Sequence, residues 1–262
     1  MKTKILILLA ITALAGFSLQ AKANIVLGTA GDFAVLAGST VTNTGSSVID
    51  GGHVGVTPGS AITGFPPGVL VTPFMMHAAD AIAIQAQNDL TTAYNAAAGL
   101  TPTQDLTGQD LGGLILLPGV YSFSSSAALT GTLTLNAQGD PNAQFVFQIG
   151  NTLITATSSS VVMINGGSMG GSVFWQVGSS ATLGTSTAFE GHILALTSIT
   201  LNTGATILDG SALARNGAVT LDTNRITTDS VVPEPATMTL FLLGSALLGL
   251  PRLRIWKRMR KL

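Results

Sequence analysis

A threonine held between two aliphatic residues recurs at short, nearly fixed intervals in this chain, and few folds accommodate such a period. Leu133-Thr134-Leu135, Ala181-Thr182-Leu183, Ile199-Thr200-Leu201 and Val219-Thr220-Leu221 carry the pattern, and the last three have another threonine two places on, at Thr185, Thr203 and Thr223. The step from Thr182 to Thr200 is 18 residues and from Thr200 to Thr220 it is 20, the contour of one coil in a β-solenoid of short strands and turns. Ile154 lies 20 residues after Thr134 and fills the same slot, between Leu153 and Thr155. The next step, to Thr182, is 28, which places an insertion within residues 158–171. Stacked coils bring equivalent residues about 4.7–4.9 Å apart. Alternation along a strand turns Ile199 and Leu201 inward and Thr200 outward, and Thr134, Thr182 and Thr220 take the same assignment. Thr157, Thr185, Thr203 and Thr223 follow an Ala, Gly, Asn or Asp and line the edge of that face.

Segments rich in Val, Ile, Leu, Phe and Thr alternate with Gly, Asn, Ser and Asp turns from Ile25 to Gly68 and from Leu111 to Thr228. One helical block interrupts them. Thr72-Pro73 supplies a start, Ile82, Ala86, Leu90, Ala93 and Ala97 recur at spacings of three and four, and Gly99 stops the run, predicting a helix over 74–98. Its alanine face suits close packing along several coils, with His77 and Tyr94 in that packing or at its rim. Phe145-Val146-Phe147-Gln148 and Val173-Phe174-Trp175-Gln176 are the heavier strands that fill the interior. Their Phe-Gln and Trp-Gln echo repeats at 28 residues, the same step as from Ile154 to Thr182.

The two ends differ in kind from the body. Lys2 and Lys4, the apolar run Ile5 to Phe17 and the small-x-small site Ala21-Lys22-Ala23 read as a signal peptide over 1–23, with a mature start at Asn24 and a solenoid domain over 24–231. Residues 232–262 hold Val232-Pro233-Glu234-Pro235, an apolar stretch from Ala236 to Leu250 and a basic tail from Arg252 to Lys261. Motif, span and basic tail in that order resemble the PEP-CTERM sorting signal of Gram-negative bacteria. The resemblance implies export to the cell envelope, at least transient membrane anchoring and an exosortase-type enzyme as partner; a permanent C-terminal anchor is the alternative. Nine of the eleven basic residues lie in these ends, whereas all twelve acidic ones lie between Asn24 and Pro235. The body therefore carries 2 − 12 = −10, which argues against nucleic acid as a partner. With no cysteine, an exported domain relies on burial and backbone hydrogen bonds.

Seven blocks resemble the ice-binding proteins of the DUF3494 type, in that family's order: 27–37 (Leu-Gly-Thr-Ala-Gly-Asp-Phe-Ala-Val-Leu-Ala), 52–58 (Gly-His-Val-Gly-Val-Thr-Pro), 62–65 (Ile-Thr-Gly-Phe), 117–121 (Leu-Pro-Gly-Val-Tyr), 145–149 (Phe-Val-Phe-Gln-Ile), 173–177 (Val-Phe-Trp-Gln-Val) and 208–214 (Leu-Asp-Gly-Ser-Ala-Leu-Ala). The resemblance implies a mainly β fold, a right-handed β-solenoid of triangular section with one long α-helix packed alongside, and a flat face that adsorbs to ice. At Asp209-Gly210-Ser211 the chain departs from the Gly-Arg of many members.

Threonine suits such a face. Its hydroxyl joins a water lattice while its methyl orders neighbouring water, and β-branching restricts χ1, so little entropy is lost against a solid. Coil spacing and the roughly 6.5–7 Å between alternate residues of a strand supply two repeats, both close to repeats of ice. The expected partner is thus an ice crystal surface met by a monomer. Threonine files also stabilise solenoids from within, and a neutral hydroxyl-rich face also fits exopolysaccharide, which leaves a surface-adhesion or matrix protein as the alternative. Catalysis needs paired carboxylates, a metal cluster or a positioned base. His53, His77 and His192 lack metal-ligand spacing and the acids are scattered, with Glu190-Gly191-His192 the most reactive-looking triplet. Neither an enzyme, a cofactor nor a metal site is expected; Asp209 and Asp222 offer single carboxylates to calcium without an Asp-rich repeat.

Overall fold

A computed structural model describes residues 25–166 and 172–228; the signal and sorting segments read at 1–23 and 232–262 lie outside the described residues. The chain winds into a three-sided solenoid whose sides are parallel sheets of nine, seven and eight strands, here sheets A, B and C. A full coil lays one short strand in each sheet in that order, as with Phe33–Ala37 in A, Thr40–Thr44 in B and Val48–Asp50 in C. The fold class read from the repeat and the resemblance is the one observed.

Winding order is not stacking order. The first two coils and Met76–Ala78 run outward to one end; a helix then carries the chain along the stack, and winding resumes at the far end with Gln104–Asp105. The last coil returns to pair with the first, joining Val35 to Ala212, Val41 to Val219 and Val48 to Arg225. This seam binds residues about 180 positions apart in the interior of all three sheets, towards the end of the stack where the first coils lie.

Coil width and core side chains vary together. Gln144 pairs with Ser172, a step of 28, whereas Phe174 pairs with His192, a step of 18. Ser160 pairs with Ala188, so the ten additional residues fall between Ser160 and Phe174, an interval that overlaps the 158–171 anticipated for the insertion. The wide coils need larger fillers. Along one inward file of sheet A, Tyr121, Phe147 and Trp175 are followed by Ile193, Ala212, Val35 and Val54 as the coils narrow. Phe147 and Trp175 stack at 3.9 Å between centroids, and the indole Nε1–H donates to Glu190 O at 3.0 Å.

The helix is α1, Ala81–Ala98, 18 residues and about 27 Å long, shorter than the 74–98 expected. Met76–Ala78 is instead a strand paired with Val54, Gly55 and Val56, and Asp80 begins the helix as N-cap, accepting from Ala83 N at 2.9 Å. Proline at position 73 therefore precedes a strand, and reading Thr72-Pro73 as the start extended the helix too far. Its buried stripe is Ala83, Ala86, Leu90, Ala93, Tyr94 and Ala97, while Ile82 is exposed. The stripe packs on sheet A against Leu36, Val146, Phe174, Leu194 and Leu213. Gln148 Nε2 donates to Ala97 O at 2.7 Å and Leu100 O at 2.8 Å, satisfying carbonyls the helix end leaves open. Arg215 lies over the Tyr94 ring at 4.7 Å. Helix and arginine thus occupy sheet A, and among the described residues none of the helix lies over sheet B.

Candidate functional site

Each strand of sheet B is a short alternation with inward aliphatic residues. In Ala181–Leu183, Ile199–Leu201 and Val219–Asp222 the residues flanking the threonine are buried and the threonine itself is half-buried. Pairing sets Ile154 beside Thr182, Thr182 beside Thr200, and Thr200 beside Thr220. The file then crosses the seam to Thr42 and on to Thr63. Five threonines from consecutive strands therefore stand in one row: Thr182, Thr200, Thr220, Thr42 and Thr63. The Thr42 Oγ1–H donates to Thr220 Oγ1 at 3.4 Å across the seam.

At the wide end the row continues through Ile154, which is 53% exposed, to Ala128. Thr134 is not in it. It lies on sheet C, in Thr132–Asn136, between Ile115 and Val162. The sequence spacing placed it beside Ile154 because spacing does not say which side of the coil a strand occupies; the sheet B strand of that coil is Ala127–Leu129, which has no threonine.

A second file follows the corner between A and B. Ser126 and Thr152 hydroxyls meet at 2.8 Å, Ser198 N–H donates to Ser180 Oγ at 3.3 Å, and Ala218 N–H donates to Ser198 Oγ at 3.2 Å. Thr40 and Ala61, a directly paired couple, extend this file past the seam. Both files consist of Thr, Ser, Ala and Ile and carry no charge.

The corner between B and C holds Thr157, Thr185 and Thr203, all exposed. Its ladder runs from Ser158 N to Thr185 O, Ser186 N to Thr203 O, Gly204 N to Asp222 O and Thr223 N to Thr44 O. Ser158, Ser186, Gly204, Thr223 and Gly45 are thereby equivalent, and all five have φ between 54° and 86°. Thr223 sits in this left-handed turn slot, one residue out of register with Thr185 and Thr203, contrary to the sequence reading. Asp222 and Thr44 take the threonine slot instead, and Thr203 Oγ1–H donates to Asp222. The edge of the face is therefore threonine with one carboxylate.

Inward threonines show how the same residue serves as scaffold. Thr155 is buried, its hydroxyl meeting Thr187 Oγ1 at 2.8 Å and accepting from Gly184 N at 2.8 Å. Sheet C differs in kind from sheet B, since its outward residues include Glu190, Asp50 and Arg225, the last two 3.9 Å apart. Glu190-Gly191-His192 straddles the corner from C to A. Glu190 accepts from Met163 N at 3.1 Å, whereas the His192 ring stacks on Phe174 at 5.4 Å, and burial pushes its pKa down to about 4. Asp209 and Asp222 stand at different corners, and no group of three His, Cys, Asp or Glu residues suited to a metal occurs among the described residues.

Thr42 and Thr63 were missed in the sequence. Thr40-Val41-Thr42 and Ala61-Ile62-Thr63 do alternate, and Thr42 and Thr63 are 21 residues apart, close to the coil length, so the signal was present. Asn43 obscured it by standing where Leu183, Leu201 and Leu221 stand in the later coils; it is buried and donates to Gly45 O and Gly64 O, both at 2.8 Å.

Residues 35–227 match the Ice-binding-like family, and residues 231–258 match the PEP-CTERM protein-sorting motif. The chain is similar to an ice-binding protein of Nostoc sp. (strain HG1), 56% identical over 257 residues that cover 94% of this chain and 93% of that one. An ice-binding protein of Colwellia sp. is 34% identical over 220 residues, covering 76% and 82% of the two chains. Among solved structures, an ice binding protein from an Antarctic biological consortium superposes with a TM-score of 0.72 at 48% identity, over 78% of this chain and 90% of that one. The ice-binding protein of the Antarctic ascomycete Antarctomyces psychrotrophicus gives 0.72 at 42% identity, over 78% and 98%.

Proposed function

Because this chain belongs to the Ice-binding-like family, we propose that it adsorbs to ice through the outward face of sheet B and thereby limits ice growth or recrystallisation. The unbroken row of Thr182, Thr200, Thr220, Thr42 and Thr63, on a sheet whose one outward charge, Asp222, stands at its edge, carries this reading. Parallel pairing fixes one spacing at about 4.8 Å, and the neighbouring file of Thr40, Ser180 and Ser198 supplies the second, roughly 6.5–7 Å away. Packed shoulder to shoulder, the half-buried threonines have little rotamer freedom left to lose on meeting a solid. Sheet A is closed by the helix and sheet C carries charges whose hydration disturbs ordered water. Thr157, Thr185 and Thr203 extend the contact at the edge; Thr134 and Thr223 have no part in it.

The role is non-catalytic, supported by the separation of Glu190 from His192 on different sides of the solenoid and by the histidine ring being stacked on Phe174 and hydrogen-bonded to Ser211. Residues 1–23 direct export, and an exosortase-type enzyme acts near Val232-Pro233-Glu234-Pro235 in a Gram-negative envelope, a reading supported by the sorting motif over 231–258. Purified residues 24–235 are expected to facet ice crystals and open a gap between melting and freezing temperatures. Retention on exopolysaccharide with neither ice effect would overturn the assignment in favour of matrix adhesion.

A further inference from the structure

The place where the chain leaves the solenoid determines which way the threonine face points when the protein is tethered. Every full coil runs from A to B to C and turns back to A, so the corner between C and A is the vertex opposite sheet B. The last strand, Arg225–Thr227, ends at that corner. Thr228 N–H donates to Asp50 O at 3.1 Å, its Oγ1–H donates to Gly51 O, and Gly210 N–H donates to Thr227 O at 3.2 Å. The exit is therefore pinned between two coils inside the stack. At the other end of the described chain, Ile25 and Leu27 are packed with the helix on sheet A. Both departures from the solenoid lie away from sheet B.

The sorting motif begins at residue 231, three residues beyond Thr228. Fully extended, that connection spans at most about 11 Å, and the eight residues from Thr228 to the apolar stretch at Ala236 span at most about 29 Å. Whatever holds the apolar stretch therefore keeps the C–A corner, and no other corner, on a short tether. The apolar stretch Ala236–Leu250 and the basic residues after it give the motif its affinity for a lipid bilayer and its anionic headgroups.

We propose that the membrane-held chain is mounted with its C–A corner toward the bilayer and sheet B facing the medium, making it an adhesin that fastens the cell envelope to ice. The proposal rests on sheet B being the ice-contacting face. Tethering also changes the strength of the contact, because many copies on one surface engage a single crystal plane together, raising retention about 100-fold or more over a lone copy.

The full chain is reconstituted into vesicles of phosphatidylethanolamine and phosphatidylglycerol and compared with the same chain in detergent micelles, by measuring partition into a slowly growing ice hemisphere. Vesicles bearing the chain are expected to enter the ice far more strongly than micelles, and vesicles bearing Thr200→Tyr to stay in the liquid. Since the protein has no cysteine, Ala128→Cys adds a single thiol to the exposed row, and it is expected to react with a bulky, impermeant maleimide equally fast in outward-facing vesicle copies and in micelles. Ice entry by micelles but not by vesicles, or a thiol shielded only in vesicles, overturns the mounting while leaving sheet B as the ice face. If neither form enters ice, the assignment of sheet B fails and this proposal falls with it.

Discussion

Replacing Thr200 with tyrosine and, separately, Thr134 with tyrosine separates the structural site from the one that spacing alone suggested. Thr200 has Thr182 on one side and Thr220 on the other, each one strand away at about 4.8 Å. A tyrosine ring projects past the threonine plane by several times the roughly 0.5–1 Å gap that already forfeits a quarter to a half of a dispersion contact. Ice is rigid, so it cannot bend around the ring, and at least Thr182, Thr200 and Thr220 lose contact. At about 1 kcal/mol for each hydrogen-bonding group, the three amount to ~3 kcal/mol, or about two orders of magnitude in the adsorption constant. The side chain points outward, so the fold changes by no more than about 0.5 kcal/mol. Thr134→Tyr lies on sheet C beside Ile115 and Val162 and is expected to keep full activity. The assay is freezing hysteresis at matched concentrations, with circular dichroism and a thermal melt on each variant. Equal loss in the two variants, or full activity in Thr200→Tyr with an intact fold, would refute the assignment of sheet B.

Thr223 is a β-branched residue at φ 54°, where side chains with a short polar group such as Asn fit better. Thr223→Asn is expected to add about 0.5–1 kcal/mol of stability, raising Tm by ~1–4 °C in calorimetry, with hysteresis unchanged because the residue is outside the threonine row. Asp80→Ala removes the helix N-cap and the partner of buried His77, 2.7 Å away; urea titration should show a loss of about 1 kcal/mol or somewhat more. Stability should fall with pH in two windows. An unfolded imidazole takes its proton near pH 6.5, but that of His192 does so only near pH 4 because burial opposes its charge. The unfolded chain thus binds more protons between these values, and stability drops by at most about 3 kcal/mol on going from the upper to the lower. His192→Gln should flatten that part of the curve. Below the usual carboxylate value of 3.8, protonation removes the further contribution of Asp89 and Asp105, whose pKa values are lowered by hydrogen bonds from Thr29 and Thr107 respectively.

The solenoid was legible because its period comes from packing. An inward aliphatic residue must meet an inward aliphatic residue one coil away, so Ala181, Ile199 and Val219, with Leu183, Leu201 and Leu221, repeat at the coil length. Thr182, Thr200 and Thr220 inherited correct placement from those neighbours. The helix start was less legible, because Thr72-Pro73 looks like a proline in a first turn, although proline also fits ahead of a strand, while alanine favours a helix without positioning its first turn. That position was set by Asp80 capping the helix and by Val54–Val56 pairing with the residues upstream. Thr223 failed for a related reason, since a turn in which Gly45, Ser158, Ser186 and Gly204 share its slot is defined by backbone conformation, not residue type.

The extent of the face was hidden for a topological reason. A repeat read along the chain reports only coils that follow one another, whereas the threonine row joins two winding runs that meet at the seam, Thr220 against Thr42. If the N-terminal coils were stacked beyond Gln104–Asp105 at the opposite end, the sequence would have the same local periods and the row would stop at three threonines. The helix prevents this by carrying the chain along sheet A to the far end of the stack, so that later winding returns to the starting coil and closes against it. Packing on sheet A thus decides the length of a row on sheet B. A change that loosens the helix from Leu36, Leu194 and Leu213 threatens the seam and with it the continuity of the ice-facing threonines, although none of those leucines reaches the face itself.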